Sequence, residues 1–161
     1  MAVGAGSWTF TEGDFGAITR SLERFLTECN ARCALLVDRN GQLVATVGQQ
    51  PDFDPTTFAT LTAADFSAND QLARLVGERD FQSLFHQGEK ESMYLADVAR
   101  RLILVILFDN RTTLGLVRLK MKQTVEELTR FFEEIFARQS SERVATNILA
   151  GADDEIDKLF Q

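Results

Sequence analysis

Leu102 to Phe108 are seven apolar residues in a row, mostly aliphatic and β-branched, which reads as a strand covered on both faces. Asp109-Asn110 stop it. A second pattern follows at once: Leu114, Val117, Met121, Val125, Leu128, Phe132 and Ile135 recur at intervals of three and four, the stripe of an amphipathic helix. A buried strand therefore feeds a long helix that packs back across a sheet.

The same reading extends along the chain. Phe15, Ile18, Leu22, Phe25 and Cys29 mark one face of a first helix, with Thr11 as its N-cap. Arg32 to Asp38 reads as a strand, Asp38-Arg39-Asn40-Gly41 as a tight turn, and Gln42 to Val47 as the returning strand. Gly48 to Pro55 holds both prolines and reads as a loop, with Asp52 and Asp54 as solvated charges. Thr56 to Gly77 reads as a second helix with Phe58, Leu61, Ala68, Leu72, Leu75 and Val76 on one side; Leu61, Ala68 and Leu72 are expected to face the sheet, and Gly77 to cap the C-terminus. Asp80 to Gln87 and Ser92 to Val98 form a second hairpin around Gly88-Glu89-Lys90, and Ala99-Arg100-Arg101 turns into the apolar strand.

Short turns between consecutive strands make the sheet antiparallel, with the three helices as covering layers. The fold class is α+β, in the order helix-ββ-helix-βββ-helix, with a central five-stranded sheet. The sequence divides into an N-terminal extension (1–9), a folded domain (10–138), a polar linker (139–152) and an acidic amphipathic segment (153–161). In that segment Ile156, Leu159 and Phe160 share a face, on a stretch too short to be a stable helix alone.

Composition narrows the function. The chain has 161 residues and a net charge of −7, so phosphate-rich surfaces repel it and nucleic acid is excluded as a partner. The first ten residues carry neither a charged n-region nor a sustained apolar stretch, so no signal peptide or membrane insertion is expected, and the protein is read as cytoplasmic. Cys29 and Cys33 read as buried thiols, with a helix ending between them. His86 is the single histidine, placed in an alternating strand where Phe81, Ser83, Phe85 and Gln87 share one face and His86 and Leu84 the other. A packing or hydrogen-bonding role suits it better than catalysis. With no nucleophile–base pair, no phosphate-cradling glycine motif and no metal-ligand cluster, neither an enzyme, a cofactor nor a metal is expected. Binding is the better class.

Two stretches carry a family likeness. The first is Ala34-Leu35-Leu36-Val37-Asp38-Arg39-Asn40-Gly41-Gln42-Leu43-Val44, with Leu61-Thr62-Ala63-Ala64 and Leu72-Ala73-Arg74-Leu75-Val76-Gly77-Glu78 after it. The second is Phe85-His86-Gln87-Gly88, Met93-Tyr94, and Leu104 through Arg118 (LVILFDNRTTLGLVR). In order and spacing they resemble the Roadblock / dynein light-chain family, which shares its layering with profilin-like folds, and within it the bacterial gliding-motility branch of MglB type. The likeness covers residues 10–138, and the run from Asp153 to Phe160 looks like the tail of some members.

That resemblance implies a homodimeric regulator of a small Ras-like, MglA-like GTPase in its GTP form, serving cell polarity or gliding motility. It implies a GTPase-activating protein that reorganises the partner's own catalytic residues, so that phosphoryl transfer occurs wholly in the partner. Concentration at a cell pole and contacts with other polarity proteins are further expectations. The dimer would join two sheets through the strand at Asp80 to Gln87, using Phe81, Leu84, Phe85 and His86, and would cover an edge that otherwise invites aggregation. On the second helix, Ala63, Ser67, Asp70, Gln71 and Arg74 would offer the GTPase a shallow platform, flanked by Phe66 as an aromatic anchor. Where members often have Gly-Asn and paired small residues, this chain has Ala64-Asp65 and Asp70-Gln71.

Ile156, Leu159 and Phe160 would fold on a surface, either their own subunit, the GTPase beside its nucleotide as the resemblance implies, or another polarity protein; the alternative is a flexible tail that binds elsewhere or nothing. Arg111, Arg118, Lys120 and Lys122 near the start of the last helix oppose its dipole; either pairing such as Lys122 with Glu126, or docking of an acidic segment such as Asp153 to Phe160, would favour them. Two other readings stay open: a non-activating scaffold or adaptor in a motor or polarity complex, and a small-ligand sensory domain with a large internal pocket.

Overall fold

The computed structural model describes residues 9–49 and 52–160, so most of the expected N-terminal extension, Gln50-Pro51 of the proline loop and Gln161 of the C-terminal segment lie outside the described residues. Eight elements follow one another: α1 (Glu12–Cys29), β1 (Cys33–Asp38), β2 (Leu43–Gly48), α2 (Pro55–Leu75), β3 (Ser83–Gln87), β4 (Ser92–Val98), β5 (Leu102–Phe108) and α3 (Leu114–Leu159). The expected α+β order is the observed one. All strand pairs are antiparallel, in the spatial order β2-β1-β5-β4-β3. The apolar run of β5 lies at the centre, where both faces are covered, and β3 lies at an edge.

Alternation along β5 divides the interior. Leu102, Leu104, Ile106 and Phe108 point to a layer made by α1 and α3, where Ile18, Leu22, Phe25, Val117, Met121, Leu128 and Phe132 are buried. Ile103 and Val105 point the other way, onto Phe66 of α2. Thr11 caps α1 as expected, in a capping box: its hydroxyl accepts from the Asp14 amide at 3.1 Å while Asp14 accepts from the Thr11 amide at 3.1 Å. Asp54 is more than a solvated loop charge, because it caps α2 by accepting from the Thr57 amide at 3.1 Å. Gly77, with φ of +84°, takes the left-handed position just past α2.

Three expectations need correction. Leu61, Ala68 and Leu72 do not face the sheet; all three are exposed. The strand expected from Asp80 begins only at Ser83, leaving Phe81 half-buried ahead of it, its carbonyl accepting from the Asn69 side chain at 3.4 Å. The stretch 139–152, expected as a linker, is helical: α3 runs unbroken for 46 residues. Gly151 is the only glycine or proline between Leu116 and Leu159, so little in the backbone chemistry stops the helix.

Candidate partner interface

α2 carries two stripes of the same helical period. Ala59, Thr62, Phe66, Asn69 and Ala73 are buried against the sheet. On another side, about 130° around the axis at 100° per residue, Leu61, Ala68, Leu72 and Leu75 are exposed, the leucines at 64%, 56% and 83%. Phe66 is fully buried, packed with Leu35, Leu95, Ile103 and Val105, so it is no surface anchor; an aromatic of that size is the side chain that fills the gap between helix and sheet. Of the expected platform residues, Ser67, Gln71 and Arg74 are exposed, whereas Ala63 and Asp70 are half-buried. Ala63 meets the β1–β2 turn, where a Cβ on Gly41 would come within 3.2 Å of the Thr60 backbone.

Asp70 is committed inside the protein. Arg39, in the β1–β2 turn, donates from Nη1 to Asp70 Oδ2 at 2.5 Å and from Nη2 to Asp97 Oδ1, and its guanidinium lies 4.9 Å from the Phe66 ring centroid. Burial pulls the Arg39 pKa down, but hydrogen bonds and charge from Asp97 and Asp70 outweigh it and hold the group above its ordinary value. One cation thus ties α2 to the end of β4. Beside it the β4–β5 turn places two non-glycine residues in the left-handed region, Ala99 at φ 52° and Arg100 at φ 58°. Each costs about 1–2 kcal/mol, and Asp97 offsets part of it by accepting from the Arg100 amide at 3.2 Å. Sequence reasoning missed this cluster because its members are 31 and 58 residues apart.

Along the β3 edge, Phe85 pairs in register with Tyr94 and stacks 6.2 Å from Phe108, so it serves the α1–α3 layer as well as the edge. Leu84 and His86 face α2, where His86 Nε2 lies 2.6 Å from Asp65 Oδ2. The hydrogen-bonding reading of His86 holds. Both cysteines are buried and free, and burial pushes the Cys29 thiol up to about 11.

α3 leaves the domain near Arg138. There Asp14 accepts from Arg138 at 2.8 Å, and the Gln139 side chain donates to the Thr9 carbonyl at 2.5 Å. Every residue from Ser140 to Phe160 is exposed, including Ile156, Leu159 and Phe160. Of the four cations at its start, Lys120 pairs with Glu28 of α1 at 3.4 Å and Arg111 with Asp109 at 3.0 Å. Among the described residues, neither Arg118 nor Lys122 has a carboxylate in pairing distance, so the expected Lys122–Glu126 pair is not formed. Among the described residues, no helix is long and apolar enough to cross a membrane.

The Roadblock/LC7 domain model matches residues 18–108, which hold the whole sheet and α2. Among solved structures, Myxococcus xanthus MglB is 45% identical, with 74% of this chain and 98% of that one covered at a TM-score of 0.72. An MglB with a tetrameric arrangement is 35% identical, with 82% and 99% covered at a TM-score of 0.76. The gliding protein MglB from Thermus thermophilus is also 35% identical, with 81% and 99% covered at a TM-score of 0.75. By this sequence match and these structural neighbours, the chain belongs to the Roadblock/LC7 domain family and is MglB-like.

Proposed function

We propose that this protein is a homodimeric, non-enzymatic regulator of an MglA-like small GTPase, acting on the GTP form in the cytoplasm in cell polarity or gliding motility. The observation that carries it is the outward apolar stripe of α2 beside the β3 edge. Leu61, Leu72 and Leu75 on a monomer surface, next to unpaired strand groups at Leu84, Phe85 and His86, are what a second copy would cover. Pairing the two α2 helices brings Ser67, Gln71 and Arg74 of both copies onto one surface, with Ala63 and Asp70 in its base. The resulting platform is small and polar, suited to a partner's loops. Phe66 takes no part in it, since it lies in the core.

In this reading the chain supplies position and the GTPase supplies the chemistry: its own side chains are reordered around the γ-phosphate, where charge accumulates during in-line transfer to water. Ile156, Leu159 and Phe160, carried on the exposed end of α3, are the proposed second contact. The test is single-turnover GTP hydrolysis by an MglA-type GTPase with and without this protein. Acceleration that disappears with Ser67→Arg, while the dimer persists, supports the platform. Unchanged binding by Ser67→Arg refutes the placement, and tight binding without acceleration assigns the protein to the scaffold class.

A further inference from the structure

A cleft of about 1000 Å³ opens between α3, the segment before β3 and the β4–β5 turn. Phe81, Tyr94, Met121 and Val125 form an apolar floor. Five exposed cations stand around it, Arg74, Arg79, Arg100, Arg118 and Lys122, none of them within ion-pairing distance of a carboxylate among the described residues. The carboxylates that share the cleft are Asp80, Glu126 and Glu133, together with Asp70 and Asp97, which both pair with Arg39, so that six cations face five carboxylates and the cleft carries a net charge of +1. In a chain of net charge −7, such a concentration of cations over an apolar floor fits an acidic amphipathic helix.

The chain contains one. From Ser140 to Phe160 the arm of α3 holds five carboxylates (Glu142, Asp153, Asp154, Glu155, Asp157) against two cations (Arg143, Lys158), a net of −3. Ala145, Leu149, Ala152, Ile156 and Leu159 recur at four, three, four and three, a two-heptad apolar seam that is wholly exposed. Two such arms laid together would oppose their acidic flanks, so the seam is poorly suited to its own copy. Nor does the arm reach its own cleft: α3 is continuous, and at 1.5 Å per residue Ile156 lies about 50 Å along the axis from Lys122.

We propose that the acidic arm of one copy docks in the basic cleft of another, with Ile156 and Leu159 on the apolar floor and Asp153, Asp154 and Asp157 against Arg79, Arg118 and Lys122. The contact lies off the α2 leucine stripe and borders the β3 edge at Ser83, and it uses the same Ile156 and Leu159 as the proposed GTPase contact, so the two compete for the arm. Arms passed from copy to copy link dimers into larger assemblies whose extent rises with protein concentration and falls with salt.

The test mixes full-length chains of natural and heavy-nitrogen isotope content and treats them with a water-soluble carbodiimide. The reagent takes up the water released as a carboxylate and the Lys122 amine condense to an amide. The expected product is a peptide joining the 153–157 segment to Lys122 with one partner heavy and one light, lost in Ile156→Ser/Leu159→Ser and in Arg79→Glu/Arg118→Glu, both of which keep every cross-linking group. Products of a single label only would mean that the arm folds back on its own chain and would overturn the proposal. So would the absence of any such product, or its persistence in the double variants. Failure here leaves the proposed α2 dimer standing, because sedimentation would still report a dimer that Leu72→Glu dissociates.

Discussion

α2 and α3 each carry a regular apolar stripe, and they spend it in opposite ways. In α3 the stripe is the packing face: Val117, Met121, Leu128, Phe132 and Ile135 are all buried over the sheet. In α2 the leucines point to solvent, and the sheet is met by Phe66 with four smaller residues, two of them polar. Helix period alone therefore tells which residues share a face, and burial tells which face is inside. The second apolar stripe of α2 lies beside β3, an edge strand of the sheet, and the proposed dimer would cover both.

The sharpest way to break this contrast is to truncate one side chain from each stripe. Phe132→Ala and Phe66→Ala should each lower stability by about 3–5 kcal/mol, since both rings are fully buried. Leu72→Ala should stay within about 0.5 kcal/mol at a fixed, low protein concentration. Denaturant midpoints at unchanged m-value measure all three. A large loss from Leu72→Ala in the monomer, or a small one from Phe66→Ala, would reverse the assignment of faces.

Next in size is the tie that fixes α2 to the sheet. Arg39→Ala leaves Asp70 and Asp97 half-buried without their cation, and should cost about 2–4 kcal/mol. Because the link is local, amide exchange should quicken first along α2 and the β4–β5 turn, ahead of β1 and β5. Uniform loss of protection would show that Arg39 merely contributes to global stability.

Leu72→Glu sharpens the contrast from the other side. It places a charge where two α2 helices are proposed to meet, so the dimer should weaken at least about tenfold, equivalent to about 1.4 kcal/mol, while the denaturation of the dilute chain is unaffected. Sedimentation equilibrium distinguishes the two effects. An unchanged dimer would move the interface elsewhere on the molecule.

How far these features were legible in the sequence follows the same division. β5 and the first half of α3 could be read directly, because each offers a single hydrophobic pattern with one interpretation. For α2 the phase was ambiguous: Leu61, Ala68, Leu72 and Leu75 fit the helical period as well as Ala59, Phe66 and Ala73 do, and leucine outweighs alanine in any reading of hydrophobicity. The wrong stripe therefore looked like the core. Polar content also concealed the arm of α3, since a helix with no buried face has the composition of a linker even where its backbone propensity is sound. In α2, period gives the exposure of Ser67, Gln71 and Arg74, whereas the tie between Asp70 and Arg39 has no local signature.

The smallest effect concerns the point where α3 stops resembling α2. Up to Ile135 the helix is held by burial, and from Ser140 it runs exposed along its whole length; between them Arg138 reaches Asp14 at the first turn of α1. Burial raises the Asp14 carboxyl, but hydrogen bonds from Thr11 and the Arg138 guanidinium outweigh it, so its pKa lies below the ordinary carboxylate value. A depressed folded-state pKa means that Asp14 contributes its stabilisation fully above the unfolded value of about 3.9 and loses it as pH falls through the lower folded value. Asp14→Asn keeps the shape but removes the charge. It should cost about 1 kcal/mol or less at neutral pH, and the deficit relative to the parent should shrink toward zero as both are titrated below pH of about 3. Acid titration of the unfolding free energy measures it, and a deficit independent of pH would show that packing, rather than the charge on Asp14, secures the base of the arm.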